Sequence, residues 1–319
     1  MPELIRKVIV IGAGNWGKNL VRTFFELNSL IAVVEASSVL RDAISNDFPD
    51  IPIYESYCEC KTIEHQAVAI ATPASTHFQL AEQALLMNKD VFVEKPFTLS
   101  TSDAQRLSQL ALQGKNILMV GHLLLYQPAI QKLKEFIREG VIGNLHAIHQ
   151  ERLKLGRVRS IENVLWSFGV HDIAVILFLV GSSPINFQIS GHRILQTEIE
   201  DDVYMHMQFN KNVTAHLHTS WLWPEQRRQL TVIGTKGMLT YNEENQSLVL
   251  HKKSIMDDLS NYDEGQIILY QAEEQPLRLE CVHFLDCINN RTVPISDGSN
   301  GVEVIRILEE ASALLKDTN

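Results

Sequence analysis

The first strand constrains the fold more than any other stretch. Val8-Ile-Val-Ile11 runs directly into Gly12-Ala-Gly-Asn-Trp-Gly17, and a helix-length segment, Asn15–Leu27, follows. Each glycine in this Gly-x-Gly-x-x-Gly spacing meets its own steric demand. Gly12 suits a tight turn, Gly14 lets a pyrophosphate approach the backbone, and Gly17 lets the helix sit close to the strand. The N–H groups at the helix start are then free to meet phosphate. The stretch predicts a dinucleotide-binding turn with Asn15 and Trp16 in its loop. Glu35 closes the next apolar run, Leu30–Glu35, 18 residues after Gly17. A carboxylate there accepts hydrogen bonds from ribose hydroxyls and repels a 2′-phosphate. No arginine stands among Ala36–Leu40, which favours NAD over NADP.

Further apolar runs, Val68–Thr72, Asp90–Val93 and Ile117–Val120, alternate with helix-length segments Thr76–Asn88 and Thr101–Gln113. Ser100-Thr-Ser-Asp103 supplies N-cap residues for the last of these. Strand–helix alternation predicts a parallel sheet built from βαβ units. Ala71-Thr-Pro-Ala-Ser-Thr-His77 follows one of these strands, at the edge where open parallel sheets bind ligands. Its small and hydroxylated residues let a ligand lie close to the backbone, which makes Thr72, Pro73, Ser75 and His77 cofactor-side candidates. Thr76 or Ser75 is equally suited to capping the next helix.

The pattern changes after Gly121. Pro128–Glu139 reads as a helix, Leu145–Leu153 as a strand, and Asn163–Val180 as a long apolar helix closed by Gly181. From Ile185 to about Leu250 the chain is strand-like, with a turn at Gly234-Thr-Lys-Gly237. Helices over about Leu277–Asn289 and Gly301–Lys316 finish it. The expected fold is therefore α/β, with a dinucleotide-binding Rossmann domain over residues 1–122. An α+β domain over residues 123–319, with an open, mostly antiparallel sheet, carries substrate binding and oligomerisation. At 319 residues there is ample length for two cores.

A formal charge of −10 argues against a nucleic-acid partner. No apolar run is long enough to span a bilayer, and Met1–Lys7 lacks the apolar segment and cleavage site of a signal peptide. Cys58, Cys60, Cys281 and Cys287 show no zinc-type pairing and read as reduced thiols of a cytoplasmic protein. His216-x-His218 puts two imidazoles on one strand face. No third ligand stands at a metal-binding spacing, and no metal is expected.

Asp90-Val-Phe-Val-Glu-Lys-Pro96 ends a buried strand in Glu94-Lys95-Pro96. Proline suits a rigid exit from the sheet, yet a lone Lys-Pro pair is more often incidental than catalytic. Four motifs together decide otherwise: Gly12-Ala-Gly-Asn-Trp-Gly17, Ala71-Thr-Pro-Ala-Ser-Thr-His77, Glu94-Lys-Pro96 and the Trp166…His171-Asp172 segment. In this order and spacing the chain resembles the glucose–fructose oxidoreductase / inositol dehydrogenase (Gfo/Idh/MocA) family, from the first strand to the last helix. The resemblance implies NAD(P)-dependent oxidation or reduction of a sugar or cyclitol hydroxyl. It makes Lys95 the motif lysine, hydrogen-bonded to the reacting oxygen, with Glu94 beside it on the cofactor side.

In Trp166-Ser-Phe-Gly-Val-His-Asp172, Ser167 and His171 are four apart and so share a helix face, with Asp172 turned about 100° from His171. A neutral imidazole takes a hydroxyl proton as hydride leaves, so His171 joins Lys95 as the catalytic pair. Many relatives carry Asp where this chain has Ser167, and His or Asn where it has Gln127; a hydroxyl orients an imidazole more weakly. Gln127 remains able to hydrogen-bond a substrate hydroxyl. Arg152, Lys154, Arg157 and Arg159 gather four cations within eight residues. They read either as a solvated loop or as an anion site preceding the catalytic helix. Tyr126, Trp221, Trp223 and Arg227-Arg228 are candidates to add stacking and charge. Gly121-His-x-x-x-Tyr126, Arg152…Gly156-Arg157 and Ser220-Trp-Leu-Trp-Pro224 most resemble the family's nucleotide-sugar branch, which includes UDP-N-acetylglucosaminuronate 3-dehydrogenases of surface-polysaccharide pathways.

The leading expectation is an NAD-dependent dehydrogenase of a nucleotide-linked sugar. A free-sugar or cyclitol dehydrogenase and a non-catalytic NAD- and sugar-binding regulator are the alternatives. Trp221 on an open sheet face would leave an apolar patch in a monomer, so a homodimer or homotetramer is expected.

Overall fold

The computed structural model describes residues 7–271 and 275–317. Met1–Arg6, most of the segment read for a leader, lie outside the described residues. Among the described residues no helix is long and apolar enough to cross a membrane. The chain forms two compact units. One runs through Leu123 and takes up Pro276–Glu309; the other comprises Leu124–Gln275 and the chain from Glu310 onward.

The first unit holds six strands: β1 (Val8–Ile11), β2 (Leu30–Val34), β3 (Ile53–Tyr54), β4 (Ala67–Ile70), β5 (Asp90–Glu94) and β6 (Leu118–Gly121). All pair in parallel, in the order β3-β2-β1-β4-β5-β6, the Rossmann arrangement. Fully buried runs such as Val8–Ile11 and Ala67–Ile70 explain why these strands read as continuous apolar stretches. The helices are α1 (Gly17–Glu26), α2 (Ser38–Asp47), α3 (His77–Leu86) and α4 (Thr101–Gly114). Ser100 caps α4 by accepting from the Asp103 N–H at 3.2 Å. Thr76 does not cap α3 in this way; its hydroxyl donates to the Pro73 carbonyl at 2.8 Å.

The second unit contains α5 (Pro128–Arg138), β7 (Leu145–Leu155), α6 (Val170–Val180), β8 (Asn186–His192), β9 (Asp202–Gln208), β10 (Thr214–Ser220), β11 (Leu222–Gly234), β12 (Met238–Asn242), β13 (Ser247–Ile255) and β14 (Asn261–Gln271). Its eight strands lie in the order β14-β13-β12-β11-β7-β10-β9-β8. Every neighbouring pair is antiparallel except β7–β10, so the sheet is mostly antiparallel. β14 lengthens the strand region beyond Leu250, where the alternation had faded. Gly234 N–H closes the expected turn onto Gly237 O at 2.9 Å.

Two expectations are corrected. Asn163–Val180 is not one α-helix, because Leu165–Gly169 form a wide π turn that leads into α6. Trp221 is not on an exposed face: it is fully buried and its indole N–H donates to Asp201 at 2.6 Å. The sheet's outer face is polar instead. It forms a shallow trough of about 500 Å³ lined by His149, Glu151, Tyr204, His206, His216 and His218 among others. His216 stacks on His149 at 4.6 Å between ring centroids.

The last two helices, α7 (Pro276–Asn290) and α8 (Gly298–Asp317), follow β14 in sequence. α7 and most of α8 belong to the first unit, although the chain reaches them only after completing the second sheet.

Candidate active site

In the first unit the glycine turn has the geometry its spacing predicts. Gly12 has φ +94°, and a Cβ there would stand 2.8 Å from the Ala71 backbone. A Cβ on Gly17 would lie 2.1 Å from Gly12 O, so only glycine lets α1 approach the turn this closely. Around Gly14 no atom comes within 4 Å of where a Cβ would stand, which leaves the backbone open to a ligand. Glu35 is braced toward this loop: its carboxylate accepts from Ala13 N–H at 2.7 Å and Ser37 N–H at 2.9 Å. Arg41 lies one position beyond the window read for arginine. It donates to the carbonyls of Glu35 and Ala36 at 2.8 Å each and pairs with Glu55 at 3.1 Å. The donor set fits an NAD-type cofactor: an open phosphate turn, backbone N–H groups at α1 and a carboxylate after β2.

His77 is 1% exposed. It sets Nδ1 2.8 Å from the Pro96 carbonyl oxygen and Nε2 2.8 Å from that of Thr72. Burial pushes its pKa down. His77 therefore clamps the Thr72 loop to the Lys95-Pro96 turn, whose peptide is cis. Thr72 is partly exposed beside that clamp, and Pro73 and Ser75 are exposed.

Glu94 ends β5 and is buried. The Trp16 indole N–H donates to one of its oxygens, and the Lys95 N–H donates to the other at 3.2 Å. Burial pushes Glu94 up to about 7 against the pull of Trp16 and the Lys95 charge. His122, just past β6, is buried, and burial together with the Lys95 charge pushes it down to about 3. Lys95 is thus flanked by a carboxyl group and a neutral imidazole.

In the second unit His171 opens α6, half-buried, one turn after buried Ser167. The π turn between them is anchored by Asn163, whose Oδ1 accepts from Trp166 N–H at 3.1 Å. Such turns are frequent at functional sites. Asp172, next to His171, is fully buried, and Arg152 Nε donates to both its oxygens at 2.9 Å. Arg152 also pairs with Glu243 at 2.9 Å, and Glu243 with Arg228 at 2.8 Å. Burial works against the Arg152 charge, but Asp172 and Glu243 hold its pKa above the ordinary value. Burial pushes Asp172 up to about 6 against the pull of Arg152. Arg152 is 7% exposed, and its guanidinium is committed to these carboxylates.

The other cations of the stretch differ from it. Lys154 lies over the Phe168 ring at 5.3 Å, Arg159 pairs with Glu162 at 3.7 Å, and Arg157 is exposed. Arg227 pairs with Glu151 at 3.5 Å. Tyr126 and Gln127 are buried, with Gln127 beside the Tyr241 hydroxyl.

Sequence reasoning missed Asp201, Glu243, His122 as a neighbour of Lys95, and Glu280. Only Glu280 carried a local signal: it interrupts the apolar face formed by Leu277, Cys281, Phe284 and Ile288.

Residues 6–122 match the oxidoreductase family described as an NAD-binding Rossmann fold, and residues 130–240 match the GFO/IDH/MocA C-terminal domain. The chain belongs to the Gfo/Idh/MocA family. It is an NAD(P)-dependent oxidoreductase of CH–OH groups. UDP-N-acetylglucosamine 3-dehydrogenase of Acidithiobacillus ferrooxidans is 26% identical over 304 residues, 93% of each chain. A solved structure of that enzyme superposes with a TM-score of 0.87 at 25% identity, covering 98% of both chains. The scyllo-inositol 2-dehydrogenase (NAD(+)) of Bacillus subtilis is 26% identical over 247 residues, 72% of this chain and 69% of its own.

Proposed function

We propose that this Gfo/Idh/MocA protein is an NAD-dependent dehydrogenase of a nucleotide-linked amino sugar or uronic acid, serving surface-polysaccharide synthesis in the cytoplasm. The observation that carries the substrate class is the end-to-end similarity to UDP-N-acetylglucosamine 3-dehydrogenase. The nicotinamide, when bound, exchanges hydride with the sugar carbon. The protein's part is to hold the proton and charge. His171 takes the hydroxyl proton, and Lys95 hydrogen-bonds the same oxygen and stabilises the developing alkoxide. Trp16, Gly14, Thr72 and Ser75 line the cofactor, and Glu35 selects NAD through the ribose hydroxyls. Tyr126, Gln127, Ser167 and Arg157 serve substrate binding. Arg152 serves it indirectly, by fixing Asp172 beside His171.

A cyclitol dehydrogenase is the second reading, favoured by the similarity to scyllo-inositol 2-dehydrogenase. Ser167 in the position of the family's usual Asp speaks against it. Absorbance of NADH formed with UDP-N-acetylglucosamine, its uronate and inositols separates the two. Turnover of an inositol alone would overturn the nucleotide-sugar reading, and turnover of none would favour a regulator. A homodimer or homotetramer belongs to the reading as well, and light scattering at micromolar concentration checks it.

A further inference from the structure

β5 and α7 meet in an antiparallel register that can be followed contact by contact. Asp90, Phe92 and Glu94 alternate along the strand and so share one sheet face. Arg291, just past α7, grips Asp90 with bonds of 2.8 and 3.1 Å. Phe284, seven residues earlier and on the same helix face, packs edge-on against Phe92 at 5.7 Å. One helical turn earlier still, Glu280 comes opposite Glu94 and within its electrostatic reach. The register thus reads cation on carboxylate, ring on ring, and then carboxyl on carboxyl.

The last pairing is chemically unusual. Glu280 is 0% exposed, and neither of its carboxyl oxygens meets a hydrogen-bond partner among the described residues. Glu94 accepts two N–H groups, from Trp16 and Lys95, as an ionised carboxylate would. Other groups around the pair are His122, which burial keeps neutral, and the buried Cys281 thiol. Gly121 lies so close to Glu94 that a Cβ there would stand 3.0 Å from Oε2, leaving no room for another side chain. Glu94, which feels the Lys95 charge, and Glu280 are two buried carboxyl groups facing each other, and two like charges in such a place do not both ionise.

We propose that Glu280 is a positioning residue for Glu94 and Lys95: the two buried carboxyl groups hold one proton between them through neutral pH, so that Lys95 is balanced by one negative charge and not two. The inference that the pair carries a proton stands on the packing of the first unit alone. Its bearing on turnover rests on the proposed role of Lys95.

The sign of the pH dependence follows from linkage. Burial and the neighbouring Glu94 hold Glu280 well above the ordinary carboxyl range, whereas the unfolded chain releases this proton at about 4.3. The stabilisation is therefore complete below that value. It is lost as pH rises, for as long as the folded protein keeps a proton that the unfolded chain has given up. Glu280→Gln copies the neutral acid and cannot ionise. Urea unfolding of wild type and Glu280→Gln at a series of pH values tests this. The ratio of their unfolding constants should change by about tenfold per pH unit as pH rises above about 5, with the variant gaining on wild type. A ratio independent of pH would show Glu280 ionised in the fold and overturn the proposal, whatever the enzyme's substrate. If Glu280→Gln does not fold, Glu280→Leu, which is equally unable to ionise, replaces it. The same gain on wild type with rising pH is expected, and a ratio independent of pH again overturns the proposal. With the substrate in hand, Glu280→Gln should keep neutral-pH kcat but lose any alkaline decline that wild type shows. A purely structural role would leave that limb unmoved.

Discussion

The ends of β5 and β7 each place charged residues where a strand leaves its sheet, and they use them in opposite ways. At the end of β7, Asp172, Arg152, Glu243 and Arg228 alternate in sign, and each cation meets a carboxylate at 2.8–2.9 Å. At the end of β5, Lys95 stands near the Glu94 carboxyl and a neutral imidazole, Glu94 faces a second buried carboxyl, Glu280, and neither Glu280 nor His122 has a hydrogen-bond partner among the described residues. The first arrangement spends its charge on the fold. The second keeps charge and proton in reserve, at the cost of burying groups that are poorly satisfied, which is where perturbed titration and function coincide. A run of charged letters does not distinguish the two; the identity of the facing groups does.

Substitutions should break the comparison along this line. The largest effects belong to the reserved charges. Lys95→Ala or His171→Ala should lower kcat by roughly 10²–10⁴ with the fold intact. Single variants turning over near the wild-type rate would make the lysine a structural residue. If both groups serve one proton-transfer step as proposed, the double variant should lose far less than the product of the two. Arg152→Ala should instead cost stability, on the order of 3–5 kcal/mol in urea unfolding, since Asp172 would be left buried and uncompensated while Glu243 keeps only Arg228. A stable Arg152→Ala with only a raised KM would return Arg152 to the role of a direct anion ligand. Glu35→Ala should narrow the preference for NADH over NADPH in fluorescence titrations, by removing the carboxylate that repels a 2′-phosphate. Equal affinities in wild type would refute that preference outright. Smallest of all, Arg157→Ala should leave stability unchanged within about 0.5 kcal/mol while raising KM for an anionic substrate. An unchanged KM would make the exposed part of the stretch a solvated loop.

What the sequence disclosed follows the same division. The glycine turn was legible because its constraints are local: Gly12 needs its positive φ and Gly17 its missing Cβ whatever packs around them. The parallel sheet followed from that turn and the alternation behind it. The π turn was not legible, since Leu165–Gly169 has the apolar make-up of the helix it leads into. Trp221 was misplaced because alternation says which residues share a face but not which face is covered. Arg152 looked like one cation of four, and only contacts with residues 20 and 91 positions away show its charge committed. Arg41 fell outside a five-residue window yet folds back onto the Glu35 carbonyl.

The return of α7 to the first unit also sets a schedule for synthesis. Asp90 meets Arg291 across 201 positions of chain, so the face of β5 that carries Asp90, Phe92 and Glu94 leaves the ribosome long before its cover exists. At about 5–20 residues per second, the nascent sheet waits on the order of 10–40 s with an aromatic ring and two acidic side chains unshielded. The intervening second unit has that interval in which to fold as an insertion. The nucleotide-binding half, first to be translated, is therefore among the last to be sealed, and a product terminated before residue 276 would carry the glycine turn on a sheet that cannot close.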